Sequence, residues 1–523
     1  MTSSYRWLVF ALTTLLMACG GSQQTSAPPT LAVQASNLTG AQLSRVQCGG
    51  CHQFPEPDLL EKSVWQHGIL PKMALRFGLL TETTSLAKQI EQQDELTDGV
   101  KLGVFPANQT LADADWQKIV AYYESMAPAH ALPAAPKTPV SVGLPLFTLR
   151  TPAKPVEALV MLLKYDSAAR CVFVGSRRGH LLRLDGQLNR LDSTFVQSPP
   201  SDVHGYAGGR FDVLTMGIMD PNDSTAGTLS RRQNGVTTPL MPNLKRPVHA
   251  SYGDLNGDGR EDAVVCQFGN HTGQLTWLEQ QATGYRAHVL DPVPGARNTI
   301  IRDVNGDGRP DVIALLSQGD EQVAVYYNVA GEDAKTPAFR KETVLRFPPV
   351  YGSSYLEMSD VNRDGFPDLI YTNGDNADYS HSLKAYHGVR IFLNDGHFRF
   401  KQAWFYPMNG ASKVLARDFD GDGDMDLAAI AYFPDYTKST VESFIYFEHQ
   451  GGLTFKPRTF ANPARGHWLT MDAGDVDQDG DDDLLLGSFG MSSTPVPAEL
   501  KARWRQEGKG VLLLENRRFT KGR

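Results

Sequence analysis

Gly253-Asp254-Leu255-Asn256-Gly257-Asp258-Gly259-Arg260-Glu261-Asp262 decides how the chain is built, because its pattern D-x-N-x-D-G-x-x-D returns four times. The later copies span Asp303–Asp311, Asp360–Asp368, Asp418–Asp426 and Asp475–Asp483. Oxygen-bearing side chains at alternate positions converge on one point if the backbone turns sharply. The glycine at the sixth position of each copy (Gly259, Gly308, Gly365, Gly423, Gly480) allows that turn. A short apolar run follows each loop, from Ala263-Val264-Val265 to Leu484-Leu485-Leu486, and reads as a buried strand. The first aspartates are 49, 57, 58 and 57 residues apart. A strand-rich unit of that length is one propeller blade.

Hard oxygen ligands suit calcium, bound at roughly 2.3–2.6 Å. The expected ligands of the first two loops are Asp254, Asn256, Asp258, the Arg260 carbonyl and Asp262, then Asp303, Asn305, Asp307, the Arg309 carbonyl and Asp311. The third loop offers Asp360, Asn362, Asp364, the Phe366 carbonyl and Asp368. The fourth offers Asp418, Asp420, Asp422, Asp424 and Asp426, and the fifth Asp475, Asp477, Asp479, Asp481 and Asp483. Up to five calcium ions are therefore expected. Most copies lack the glutamate that closes an EF-hand at position twelve, and an aspartate at position nine stands in its place. The repeat resembles the FG-GAP or VCBS unit of integrin-type propellers.

The 523 residues carry a net charge of −8, which leaves no basic footprint for nucleic acid. The acidity is local: the five loops hold 21 acidic residues against three arginines, Arg260, Arg309 and Arg363. Five cysteines do not make a disulfide framework, and Cys171 and Cys266 lie in apolar strand-like runs as buried thiols.

Residues 1–19 read as an export signal, with Arg6 before a short apolar core. The core ends in Leu16-Met17-Ala18-Cys19-Gly20, which resembles a bacterial lipobox. The resemblance implies lipid on Cys19 and a place in the bacterial envelope, lipid-anchored, at the outer membrane facing the periplasm or the cell surface. Residues 20–36 read as a flexible tether.

Residues 37–130 read as a small helical domain. Thr39 can cap a helix carrying Leu43 and Val46, and Asp113 to Tyr123 has helical periodicity with acids in its first turn. Between them stands Cys48-Gly49-Gly50-Cys51-His52, the C-x-x-C-H of c-type haem attachment. Two thiols can bond the vinyl groups while His52 ligates the iron, so one covalent haem c is expected. The final helix resembles that of cytochromes c. The opposite ligand is assigned to Met73, with His67 and Met126 as alternatives.

Residues 131–144 read as a linker and 145–523 as the propeller. Two degenerate units, around Ala158–Leu184 and Phe211–Gly217, precede the five repeats and give seven blades. Phe147-Thr148-Leu149 is placed to pair near Leu512-Leu513-Leu514 and close the ring. The fold expected is thus multidomain: a small all-α cytochrome c domain followed by an all-β, seven-bladed propeller. The whole resembles bacterial proteins that join these two parts.

Three functions fit such a chain. The first is electron transfer by the haem, with the propeller docking a redox partner. The second is oxidation of a small-molecule substrate such as a sugar, with electrons passed to the haem. The third is adhesion or glycan binding. The residue patterns leave open whether the chain is an enzyme, since no second redox cofactor site is legible. The face opposite the calcium loops is expected to meet the partner. His249, Asn298, Tyr355 and Lys413 each lie five residues before a first aspartate, with Arg297 and His467 nearby, and the loop Asp375–His387 is on the same side.

Overall fold

The computed structural model describes residues 33–81, 86–331, 337–375, 380–507 and 509–519. The signal segment, Cys19 and most of the tether lie outside the described residues. Seven antiparallel sheets of four consecutive strands, or three plus one borrowed, form the seven-bladed propeller. The blades run 160–195, 200–244, 247–291, 296–346, 353–407, 411–459 and 468–516.

The second strand of each repeat explains why the apolar runs are continuous. Asp262–Gln267, Asp311–Leu316, Asp368–Asn373, Asp426–Ala431 and Asp483–Ser488 are buried at every position. Each strand is covered on both faces by the neighbouring blades, so alternation disappears. The ring closes through the expected pairing. Phe147–Arg150 pairs antiparallel with the last strand, Leu149 opposite Leu514. Phe147 seals that seam edge-on to Tyr446 at 5.4 Å and Phe419 at 5.8 Å.

The linker differs from expectation. Ser141–Val142 adds in parallel to Arg458–Thr459 as a fifth strand of blade six. Lys137 meets Glu442 at 2.5 Å and the Pro407 carbonyl oxygen, so the proline-rich segment is clamped along blades five and six.

Ahead of the propeller stand the helices Gly40–Gly49, Leu86–Lys101 and Asp113–Met126, with a helical stretch from Lys62 to Leu75. Thr39 and Gln42 form a reciprocal capping box at the first helix. Leu43 is buried as expected, while Val46 is 61% exposed. The first and last helices cross closely: a Cβ on Gly40 would lie 2.2 Å from the Lys118 carbonyl oxygen. Pro71 does not break the chain away from the helix. It has no N–H to give to the carbonyl four residues back, and a π-turn at Trp65–Ile69 precedes Leu70–Leu75. The sixteen-residue helix Leu86–Lys101 was not anticipated; its sequence is polar on most faces.

Candidate functional site

All five acidic loops join the first strand of a blade to the second, and the sixth-position glycines take φ of 80, 83, 88, 91 and 105°. The first-position carboxylates organise the turns. Asp254 accepts the N–H groups of Gly257 and Gly259 at 2.8 Å, and Asp303 repeats this with Gly306 and Gly308. The ninth-position aspartates have a structural task that the sequence reading did not assign. Asp262, Asp311, Asp368, Asp426 and Asp483 are almost fully buried. One oxygen of each accepts the backbone N–H of Gln280, Asn328, Asn394, His449 or Asn516 at 2.7–2.9 Å. The other accepts the N–H of the loop's second residue, except that in Asp426 it takes the Tyr446 hydroxyl. They staple loop, second strand and third strand together.

Arginine separates the loops into two kinds. Arg260 folds back on Asp258, and Arg309 on Asp307 at 2.5 Å, so these acids carry their own counter-charge. In loops one to three the third-position asparagine also donates to the fifth-position aspartate. Loops four and five contain no arginine. There Asp418, Asp420 and Asp422, and Asp475, Asp477 and Asp479, bring one ligand oxygen each within 4.8 Å of the others. Asp418 Oδ1, Asp477 Oδ1 and Asp481 Oδ1 are buried without a hydrogen-bond partner. Burial first, then Asp479, pushes Asp477 up to about 6. Unpaired carboxylate oxygens converging on one point fit a calcium ion.

The C-x-x-C-H residues emerge together at the end of the first helix. Cys48 packs against the helical core, Cys51 is exposed, and the two thiols are free. His52 Nδ1 lies 3.0 Å from the Gln53 carbonyl oxygen, which leaves Nε2 as the ring atom for a metal. Burial pushes His52 below its usual value, which favours the neutral imidazole that a metal needs. This donor set fits thioether attachment with one imidazole ligand. Met73 packs on the same core as Cys48, whereas Met126 is 59% exposed and His67 is exposed with Nδ1 beside the Ser63 carbonyl.

The face opposite the acidic loops carries the helical domain. Phe105 meets His271 edge-on at 5.3 Å, with Arg76 over the Phe105 ring. Val350 and Tyr386, from the propeller, join the core cluster of the helices. Asp320 and Arg346 act electrostatically on His52 from blade four.

Six side chains expected at this mouth sit elsewhere or are already engaged. His467 is 1% exposed and stacked between Tyr432 and Trp504, its ring nitrogens on the Phe489 and Tyr432 carbonyls. Asn298 is buried, donating to the Leu356 carbonyl. Arg297 pairs with Asp375 at 3.0 Å. His249, Tyr355 and Lys413 point into the central channel, for the first strand lines it. There His249 Nδ1 is 3.0 Å from Asp202, and Lys413 lies over Tyr355 at 4.8 Å.

The channel also holds charges that the sequence reading missed. Lys164 meets Asp202 at 2.9 Å and Arg417 meets Glu357 at 2.5 Å. Asp472 accepts the Tyr165 N–H at 2.8 Å. The signal that could have found them is a charged residue within the first strands of blades one, two, five, six and seven, namely Lys164, Asp202, Glu357, Arg417 and Asp472.

A family model described as FG-GAP-like repeat matches residues 303–371 and 372–429. The chain thus carries FG-GAP-like repeats on a seven-bladed propeller. Solved structures with similarity include the WD40 domain of Neurospora crassa Pan2, at 10% identity, covering 73% of this chain and 100% of that chain, with a TM-score of 0.42. BBS1N in complex with ARL6DN is similar at 8% identity, covering 72% of this chain and 98% of that chain, with a TM-score of 0.43. No curated protein matches the sequence.

Proposed function

We propose that the chain is a haem c electron-transfer lipoprotein of the bacterial envelope, with a calcium-stabilised propeller that carries the redox domain and docks its partner. The single observation behind this reading is the grouping of Cys48, Cys51 and His52, its Nδ1 tied to Gln53, on a helical domain seated on the propeller. A bound haem supplies one-electron chemistry. Cys48 and Cys51 would hold its edge by thioether bonds, and His52 Nε2 would hold the iron. Met73 would supply the second iron ligand, since it packs on the core that Cys48 touches.

The propeller's part is mechanical. Contacts from Phe105, Val350 and Tyr386 fix the helical domain against it, so an approaching partner meets one orientation. Asp320 and Arg346 place one charge of each sign near His52. Cys19 would tether the assembly to the membrane.

The test is expression with a c-type maturation system in a host that lipidates exported proteins. The native chain should retain a haem mass and a pyridine haemochrome spectrum after denaturation. Cys48→Ser with Cys51→Ser should lose both. Cys19→Ala should leave the membrane fraction with its haem intact. A native chain without covalent haem under these conditions would overturn the electron-transfer reading.

A further inference from the structure

We propose that Ser251, His249 and Asp202, in the central channel of the propeller, form a nucleophilic site that hydrolyses small carboxylic esters. The three side chains are linked in the order that acyl transfer requires. His249 Nδ1 lies 3.0 Å from Asp202 Oδ2, and His249 Nε2 lies 3.2 Å from Ser251 Oγ. A hydroxyl is a weak nucleophile until a base takes its proton, and the base works best when a third group fixes its ring and tautomer.

Strand geometry makes this line-up. His249 and Ser251 are two residues apart on Pro247–Gly253, the first strand of blade three, so both side chains leave the same face. Asp202 comes from Pro200–Gly205, the first strand of blade two, and is 5% exposed. Its Oδ1 accepts from Lys164 at 2.9 Å and from the Val203 N–H at 2.8 Å, and its Oδ2 accepts the Ala250 N–H at 3.0 Å. With this carboxylate at Nδ1, that nitrogen carries the ring proton and Nε2 keeps a lone pair for Ser251.

Ser251 has a second neighbour, Thr299 in blade four. The Thr299 carbonyl oxygen lies 2.8 Å from Ser251 Oγ and the Thr299 hydroxyl 2.7 Å. The same carbonyl is 3.3 Å from His249 Nε2. The Thr299 hydroxyl can donate to Ser251 Oγ, which leaves the serine proton to turn between the Thr299 carbonyl and Nε2. Catalytic hydrogen bonds are often slack until substrate arrives.

The arrangement does more than tie blades together. Asp202 already joins blades two and three through the Ala250 N–H, without the imidazole. Nor does the pair belong to the repeat. Asn298 and Ile300, Tyr355 and Glu357, Lys413 and Leu415, and Thr470 and Asp472 stand where blade three has His249 and Ser251. The His249 side chain is 29% exposed and Ser251 is half-buried, so both can meet a small molecule in the channel. The Ala250 N–H turns away from the partner strand, and two-residue alternation turns the Tyr252 N–H the same way, next to Ser251. It offers a donor to the oxyanion.

In the reaction, Ser251 Oγ bonds the acyl carbon while its proton passes to His249 Nε2. The intermediate collapses, the bond from the acyl carbon to the alcohol oxygen breaks, and the alcohol leaves with that proton. Water then attacks the acyl-serine, its proton returning through Nε2 to Ser251 Oγ, and the carboxylic acid is released. The reaction needs no haem and stands apart from the electron-transfer reading.

The experiment treats the full native chain with an alkyl fluorophosphonate, identifies the modified residue by mass spectrometry, and follows p-nitrophenyl acetate hydrolysis beside it. Ser251 should carry the phosphonyl group, with fluoride lost, and the ester should turn over above the buffer rate. Ser251→Ala should lose that turnover, and His249→Gln should slow labelling at least about a hundredfold. Asp202→Asn should lower kcat while KM stays within about twofold, the split expected of a positioning residue that acts through the imidazole. A native chain unlabelled at Ser251 would overturn the proposal, whether or not the variants fold. Turnover retained in Ser251→Ala, labelling at the native rate in His249→Gln, or an Asp202→Asn effect on KM alone would each overturn it too.

Discussion

Single buried charges set much of this protein's chemistry. Asp202 is buried, yet the charge of Lys164 and the bond to His249 outweigh burial and hold its carboxyl well below the usual range. Glu321 shows the opposite balance. It is 2% exposed, and burial pushes it up to about 7 although Ser353 and Gly352 donate to it. Asp375 adds to the rise. The sign follows from linkage. Below the unfolded value of 4.5 both states are protonated and Glu321 costs nothing. Between 4.5 and about 7 the unfolded chain releases its proton while the folded chain keeps it, so stability falls as pH rises. Above that window the loss, about 3 kcal/mol, stays constant. Urea unfolding at a series of pH values should show this fall in the native chain and a flatter profile in Glu321→Gln. An identical slope in both proteins would remove Glu321 as its source.

At the scale of the loop, one nine-residue pattern yields two kinds of site. Sequence identity at positions one, three and five is similar throughout, but Arg260 and Arg309 supply a counter-charge from within loops one and two. Arg363 leaves loop three to pair with Asp424 in loop four. A calcium ion would therefore compete with an internal cation in loops one and two and with none inside loop five. Titration of the chelator-stripped protein should find its tightest sites in loops four and five. Calcium at a hundredfold over its dissociation constant should add about 2.7 kcal/mol per site to stability. Asp420→Asn together with Asp477→Asn should abolish most of the calcium-dependent rise in melting temperature. Retention of the full rise in that double variant would place the ions in the other loops.

At the scale of the whole molecule, two long-range seams hold the chain together. The ring closes where Phe147–Arg150 meets the last blade, more than 360 residues away. Phe147 fills the joint between blades six and seven, so Phe147→Ala should cost about 3–5 kcal/mol in denaturant unfolding. The exposed Val46→Ala should stay within about 0.5 kcal/mol of the native chain. An equally small effect at Phe147 would mean that the seam does not limit stability. The second seam seats the helical domain on the propeller, through Phe105 against His271 and through Val350 and Tyr386. The channel charges act across blades as well, Lys164 in blade one reaching Asp202 in blade two.

Local chemistry alone determined the blades, their number and the closing strand. Glycine at a left-handed turn, a continuous apolar run and a capping threonine each act within a few residues, so they are legible in order along the chain. The Cys48–His52 grouping was legible for the same reason. Tertiary structure decided what the loops and the mouth are used for. His467 looked like a surface ligand until its ring was buried between Tyr432 and Trp504. A charge's worth depends on how much water is removed around it and which partner comes near. Both are fixed by residues far away in sequence, and the fold alone brings those together.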